Sequence, residues 1–135
     1  MKINAGLWID HKKAFIILLI GKMEEERTIK SYVEKQLRRY PKSTMVHTPD
    51  SRQNPPEDSK EREYTMQLNI YYDEVIAFTR NANSIFIFGP SEAKLELKKR
   101  FEKKRLGKRI AGIESADKMT KPQIAVKVRE FFLKK

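Results

Sequence analysis

Ile85-Phe86-Ile87-Phe88-Gly89-Pro90-Ser91-Glu92-Ala93-Lys94 reads as a strand, a tight turn and the opening of a helix. Four large apolar residues in succession suit a strand covered on both faces. Gly89-Pro90 ends it. Ser91 is placed to cap a helix whose inner stripe is Ala93, Leu97 and Phe101. A strand that runs through a short turn into a helix is the unit of an α/β domain. At such turns, strand ends and helix N-termini expose free N–H donors, so ligands tend to collect there.

Working outward, Gly6–Ile9 and Ala14–Ile20 are two further β-rich runs, and Asp10-His11-Lys12-Lys13 between them has hairpin-turn composition. The second run is apolar at every position and is expected at the centre of the sheet. Gly21-Lys22 makes the next turn, and Arg27–Val33 alternates weakly, as an exposed third strand does. Residues 34–60 hold Pro41, Pro49, Pro55 and Pro56 among Ser, Thr, Asn and Asp, with no period, and are expected to form a long mobile loop. From Glu61 to Asn81 a helix is expected, because Tyr64, Leu68, Tyr71, Tyr72, Val75, Ile76 and Thr79 share one face. Gly107 is expected to break the helix that starts near Ser91, and Arg109–Ile113 to form a short strand. Thr120 and Gln123 make a capping box, with Pro122 tolerated in the first turn and Ile124, Val128 and Phe131 facing inward. Three strands, a loop, then helix, strand, helix, strand, helix predict a single α/β domain over residues 1–135. Its mixed five-stranded sheet would be flanked by helices, in the order of a ribonuclease H-like fold.

The chain of 135 residues carries a formal charge of +11 and has an isoelectric point near 9.8. Such a balance favours a phosphate-rich partner over an acidic substrate. More than half of the excess sits in residues 91–109, with nine basic and three acidic groups. On the helix from Ser91, Lys94, Lys98 and Arg105 line one flank and Lys99 and Lys103 another. Arg100 and Lys104 border the inner stripe, and Lys108 and Arg109 follow in the next loop. Lys94, Lys98, Lys99, Lys103, Lys104, Arg105, Lys108 and Arg109 are therefore candidate phosphate contacts, which predicts steep salt dependence. The segment lacks interleaved aromatic residues for stacking single-stranded bases, Phe101 being better placed for the core. The competing reading is a solvated face braced by weak pairs such as Glu92–Lys99, Glu96–Arg100 and Glu102–Arg105.

No cysteine is present, which excludes disulfides and thiolate metal sites. The start, Met1-Lys2-Ile3-Asn4-Ala5, lacks the build of a secretory signal. The longest apolar run, Ala14–Ile20, is too short to span a bilayer, so a cytoplasmic chain without a membrane partner is expected. Catalytic signals are sparse. A two-metal nuclease needs several converging carboxylates. Asp10 after the first strand, Glu74 (or its neighbour Asp73) on the first long helix and Glu114 (or Asp117) after the last strand form the alternative nuclease set, although Asp10 also suits a turn. His11 and His47 are too few for a zinc site. No Gly-x-Ser-x-Gly elbow or P-loop occurs, so neither a cofactor nor a metal is expected. A third reading is a protein-interaction module whose charge serves solubility.

Three segments in order carry a family resemblance: Gly6-Leu7-Trp8-Ile9-Asp10-His11-Lys12-Lys13-Ala14, Gly89-Pro90-Ser91-Glu92-Ala93-Lys94-Leu95-Glu96, and Gly112-Ile113-Glu114-Ser115-Ala116-Asp117-Lys118-Met119-Thr120. They resemble small bacterial translational-machinery proteins, a family similar to the middle domain of archaeal and eukaryotic peptide-chain release factors. The resemblance implies the same α/β fold and a ribosome or structured RNA as partner. In the release factors a Gly-Gly-Gln loop between the three-strand meander and the first helix helps to release the peptide. The corresponding stretch here, Thr48-Pro49-Asp50-Ser51-Arg52-Gln53-Asn54-Pro55-Pro56, keeps a Gln and has neither glycine. The resemblance therefore implies a binding module without release activity, with Arg52 and Gln53 as its loop residues.

Overall fold

A computed structural model describes residues 2–32 and 56–133, with the backbone alone for 56–60. Among the described residues, five strands and three helices follow one another as β1 (Ile3–Ile9), β2 (Lys13–Ile20), β3 (Met23–Lys30), α1 (Pro56–Thr79), β4 (Ser84–Gly89), α2 (Ala93–Lys103), β5 (Ile110–Ser115) and α3 (Lys121–Leu133). The sheet order is β3-β2-β1-β4-β5. The first three strands form an antiparallel meander, and β4 and β5 lie parallel to β1. The expected single α/β domain with a mixed five-stranded sheet and helical cover is thus present.

The inner strands are apolar on both faces because helices cover both. Ala14, Ile16 and Leu18 of β2 join Leu7, Ile9, Ile85 and Ile87 beneath α1 and α2. Phe15 and Ile17 turn to the other face and meet Trp8, Phe86, Phe88 and the buried Ile124 and Val128 of α3. Phe131 of α3 stacks on Phe86 with ring centroids 3.9 Å apart. The capping box forms as read, the Thr120 N–H donating to Gln123 Oε1 at 2.9 Å and the Gln123 N–H to Thr120 Oγ1 at 3.3 Å.

Several boundaries differ from the sequence expectation. β3 starts at Met23, because the tight turn at Gly21 (φ +61°) pairs Ile20 with Met23 directly. Only Ile29 of this edge strand is buried. Its Glu24-Glu25-Glu26 run, polar on both faces, hides the strand from a period-two reading while discouraging edge-to-edge pairing. Helix α1 begins at Pro56 instead of Glu61. Proline at the first helical position gives up no hydrogen bond, so Pro56 opens the helix where a loop was expected. The rest of the expected mobile loop, with Arg52 and Gln53, lies outside the described residues. β5 begins at Ile110, after a 3-10 turn over Gly107–Arg109.

Candidate nucleic-acid interface

Helix α2 docks through Ala93, Leu97 and Phe101, all fully buried. It leaves β4 by a turn in which Gly89 lies so close to β1 that a Cβ there would stand 2.1 Å from the Ile9 carbonyl oxygen. Ser91 is a weak cap, its Oγ accepting from the Ala93 N–H at 3.4 Å. The C-terminus departs from the reading in which Gly107 breaks the helix. The chain turns at Arg105, which adopts φ +63°. The Leu106 N–H donates to the Phe101 carbonyl at 2.8 Å and the Arg105 N–H to the Glu102 carbonyl at 3.0 Å. This is a Schellman closure with arginine where glycine is usual. An Arg105→Gly variant is therefore expected to be more stable by about 1 kcal/mol, from relief of the left-handed conformation. A chemical-denaturation midpoint at or below the parent's would contradict this account.

The eight predicted basic residues divide by what holds them. Lys94 is half-buried and its Nζ donates to the Ser91 carbonyl at 2.6 Å. Lys104 Nζ stands 3.6 Å from Asp73 of α1. The Arg109 guanidinium donates to the carbonyls of Arg80 and Ala82, tying the 3-10 turn to the α1–β4 link. Lys98, Lys99, Lys103, Arg105 and Lys108 remain. All five are exposed and form no ion pair or side-chain hydrogen bond among the described residues. They lie along one helix and the turn after it, at spacings the helix sets.

Of the bracing pairs weighed within α2, Glu92–Lys99 and Glu102–Arg105 do not form among the described residues, and Glu96–Arg100 is replaced by contacts to another helix and a turn. Arg100 makes a bidentate pair with Asp73, both NH2 contacts at 2.8 Å. Glu96 accepts from the Tyr72 hydroxyl at 2.5 Å and stands 3.1 Å from His11 Nε2 in the β1–β2 turn. Burial, and then the bond to Glu96, push the Tyr72 hydroxyl well above the usual tyrosine range, so Tyr72 remains a donor. Tyr71 is raised too, by burial first and then by the charge of Asp10 and by Tyr72, and its hydroxyl donates to the Asp10 carbonyl at 2.9 Å. None of these partners has a local sequence signal; Asp73 and Arg100 are 27 residues apart.

The alternative nuclease carboxylates are not brought together. Asp10 Oδ1 accepts the N–H groups of Lys12 and Lys13, each at 2.8 Å, which is turn work. Glu74 is exposed on α1. Glu114 pairs with Lys127 of α3 at 3.0 Å, across the sheet from α1. Among the described residues, no three His, Asp or Glu side chains are grouped as a metal site requires.

No family model matches the chain, and neither does any curated protein. Solved structures do. The Pelota protein of Thermoplasma acidophilum is 15% identical with a TM-score of 0.56, the match covering 99% of this chain and 32% of that one. Archaeoglobus fulgidus Pelota is 10% identical with a TM-score of 0.53, covering 95% and 31%. The archaeal translation termination factor aRF1 is 15% identical with a TM-score of 0.55, covering 95% and 34%. This chain therefore has a release-factor-like fold, and spans about a third of the length of the structures it matches. No helix among the described residues is long and apolar enough to cross a membrane.

Proposed function

We propose that the chain is a non-enzymatic cytoplasmic module that binds the ribosome or another structured RNA, as the translational-machinery proteins with similar motifs would. The observation that carries this reading is the set Lys98, Lys99, Lys103, Arg105 and Lys108, exposed along α2 and the turn after it and without partners among the described residues. Cations so arranged neutralise phosphates and release condensed counterions, a sequence-independent mode of binding. The likeness of the fold to a translation termination factor supports a role in translation. No two glycines are adjacent anywhere in the sequence, so a Gly-Gly-Gln release tripeptide does not occur. The module works by binding, not by releasing peptide.

The test uses Lys98→Glu, Lys99→Glu and Lys103→Glu together. Lys104 is left intact, because a carboxylate there would face Asp73. In a lysate fractionated on a sucrose gradient, the parent protein is expected to travel with ribosomal particles at low salt and to leave them at high salt. The triple variant is expected at the top of the gradient at both. Ribosome co-migration by the variant, or none by the parent at low salt, would overturn the reading.

A further inference from the structure

The charge count by sequence assigns the basic surface to α2, but the fold adds to it. β1, β4 and β5 all start at one end of the sheet. The α1–β4 link, the turn after α2 and the β2–β3 turn all come to this same end. The Arg109 guanidinium on the carbonyls of Arg80 and Ala82 joins the first two of these. The Asn83 N–H donates to the Ile3 carbonyl at 2.7 Å and the Ile3 N–H to Asn83 Oδ1 at 2.8 Å, setting Lys2 beside the α1–β4 link. Ile3 pairs with Ile20, so the Gly21-Lys22 turn comes next, and Lys2 and Lys22 line one shallow hollow. Arg129 shares that hollow, but its guanidinium is taken by Glu24. Glu24 is in turn lowered below its ordinary carboxylate value, chiefly by its hydrogen bond to Arg129.

We propose, resting on the reading above, that the phosphate-binding surface continues from the C-terminal end of α2 across this edge of the sheet. Lys2, Lys22 and Arg80 are then additional RNA-contact residues. All three are exposed. With Lys108 they form a row across the start of β5, β4 and β1 and the end of β2. At about 4.8 Å between strands, that row is about 15 Å long. It faces roughly four phosphates of one nucleic-acid strand, at about 3.4 Å per charge. Glu24, paired with Arg129, and Glu102, against Gly107, are the nearby acids, on the edge strand and on α2. The partner is the sugar–phosphate backbone of a folded RNA. The surface lies at the end of the sheet opposite the strand C-termini, where the strand–turn–helix motif alone places a ligand.

The test compares two full-length variants with the parent for affinity to a duplex RNA across a range of salt: Lys2→Gln with Lys22→Gln and Arg80→Gln, and Lys98→Gln with Lys99→Gln and Lys103→Gln. The first is expected to bind roughly tenfold or more weakly, with a slope of log affinity against log salt shallower by about 2 to 3. The Arg80 carbonyl that holds Arg109 is kept, so the melting temperature should match the parent's. The single Lys22→Gln change, on an exposed turn, should move the slope in the same direction by about 1. Parental affinity and slope in the first variant, with binding lost in the second, would overturn this inference and leave the α2 reading standing. Parental binding by both would overturn the two together. Weaker binding at an unchanged salt slope would also overturn it, because the lost contact would not be to phosphate.

Discussion

Gly89→Ala is expected to lower stability by on the order of 3–5 kcal/mol, most of what a domain of this size has to spare. The added methyl would lie 2.1 Å from the Ile9 carbonyl oxygen and 3.2 Å from its carbon. Both atoms are backbone in a strand paired to neighbours on each side, so no side-chain rotation relieves the contact. The φ of +159° adds to the cost for any residue with a Cβ. Either β4 parts from β1 at its C-terminal end or the β1–β2 turn is pushed away, and Asp10 and His11 move with it. Thermal melting followed by circular dichroism should show a fall of about 10 °C or more. A shift of less than about 2 °C would mean that the two strands separate there at little cost.

Phe101→Ala is expected to cost about 3–5 kcal/mol. The ring is completely buried, in the core shared by α1, α2 and the sheet. Its carbonyl also closes the α2 C-terminus by accepting the Leu106 N–H. The truncation leaves a void that the neighbours cannot fill, since Arg100 and Lys104 hold α2 to Asp73 on α1 and limit its collapse. Phe101→Leu keeps most of the volume and should cost much less. The proposed RNA binding, measured well below the melting transition, should survive both changes, because Lys98, Lys99 and Lys103 are exposed, off the buried stripe. Denaturation that shows less than about 1 kcal/mol lost in Phe101→Ala would refute the docking role of this ring.

The sequence is legible where a signal is local. The strand at 84–89 is a run of adjacent apolar residues, and the α2 stripe and the α3 capping box are patterns within one or two turns. Exposure of Lys98, Lys99 and Lys103 follows from the same helical period. Partners across the fold are not legible. Glu96 and Arg100 have the spacing of an intrahelical pair, yet each finds a better-placed group on another element, Tyr72 and Asp73 respectively. Arg109 reads as one more phosphate contact until the α1–β4 link is folded against it. The end of α2 is hidden for a related reason: glycine is the usual left-handed residue, and here Arg105 takes that conformation two positions earlier. Lys2, Lys22 and Arg80 carry no pattern at all, being distant in sequence and gathered only by strand order.

The ties that hold α2 also bear on how this molecule opens. Glu96 is joined to Tyr72 and His11 near one end of the helix, Arg100 and Lys104 to Asp73 near the other, and the inner stripe is buried between them. A helix held in this way has no cheap sub-global opening of its own, so its amide protons exchange only when the sheet beneath it gives way. The cationic rod is then as rigid as the core, and an RNA bound as proposed would pay for ordering lysine side chains but not for folding the helix.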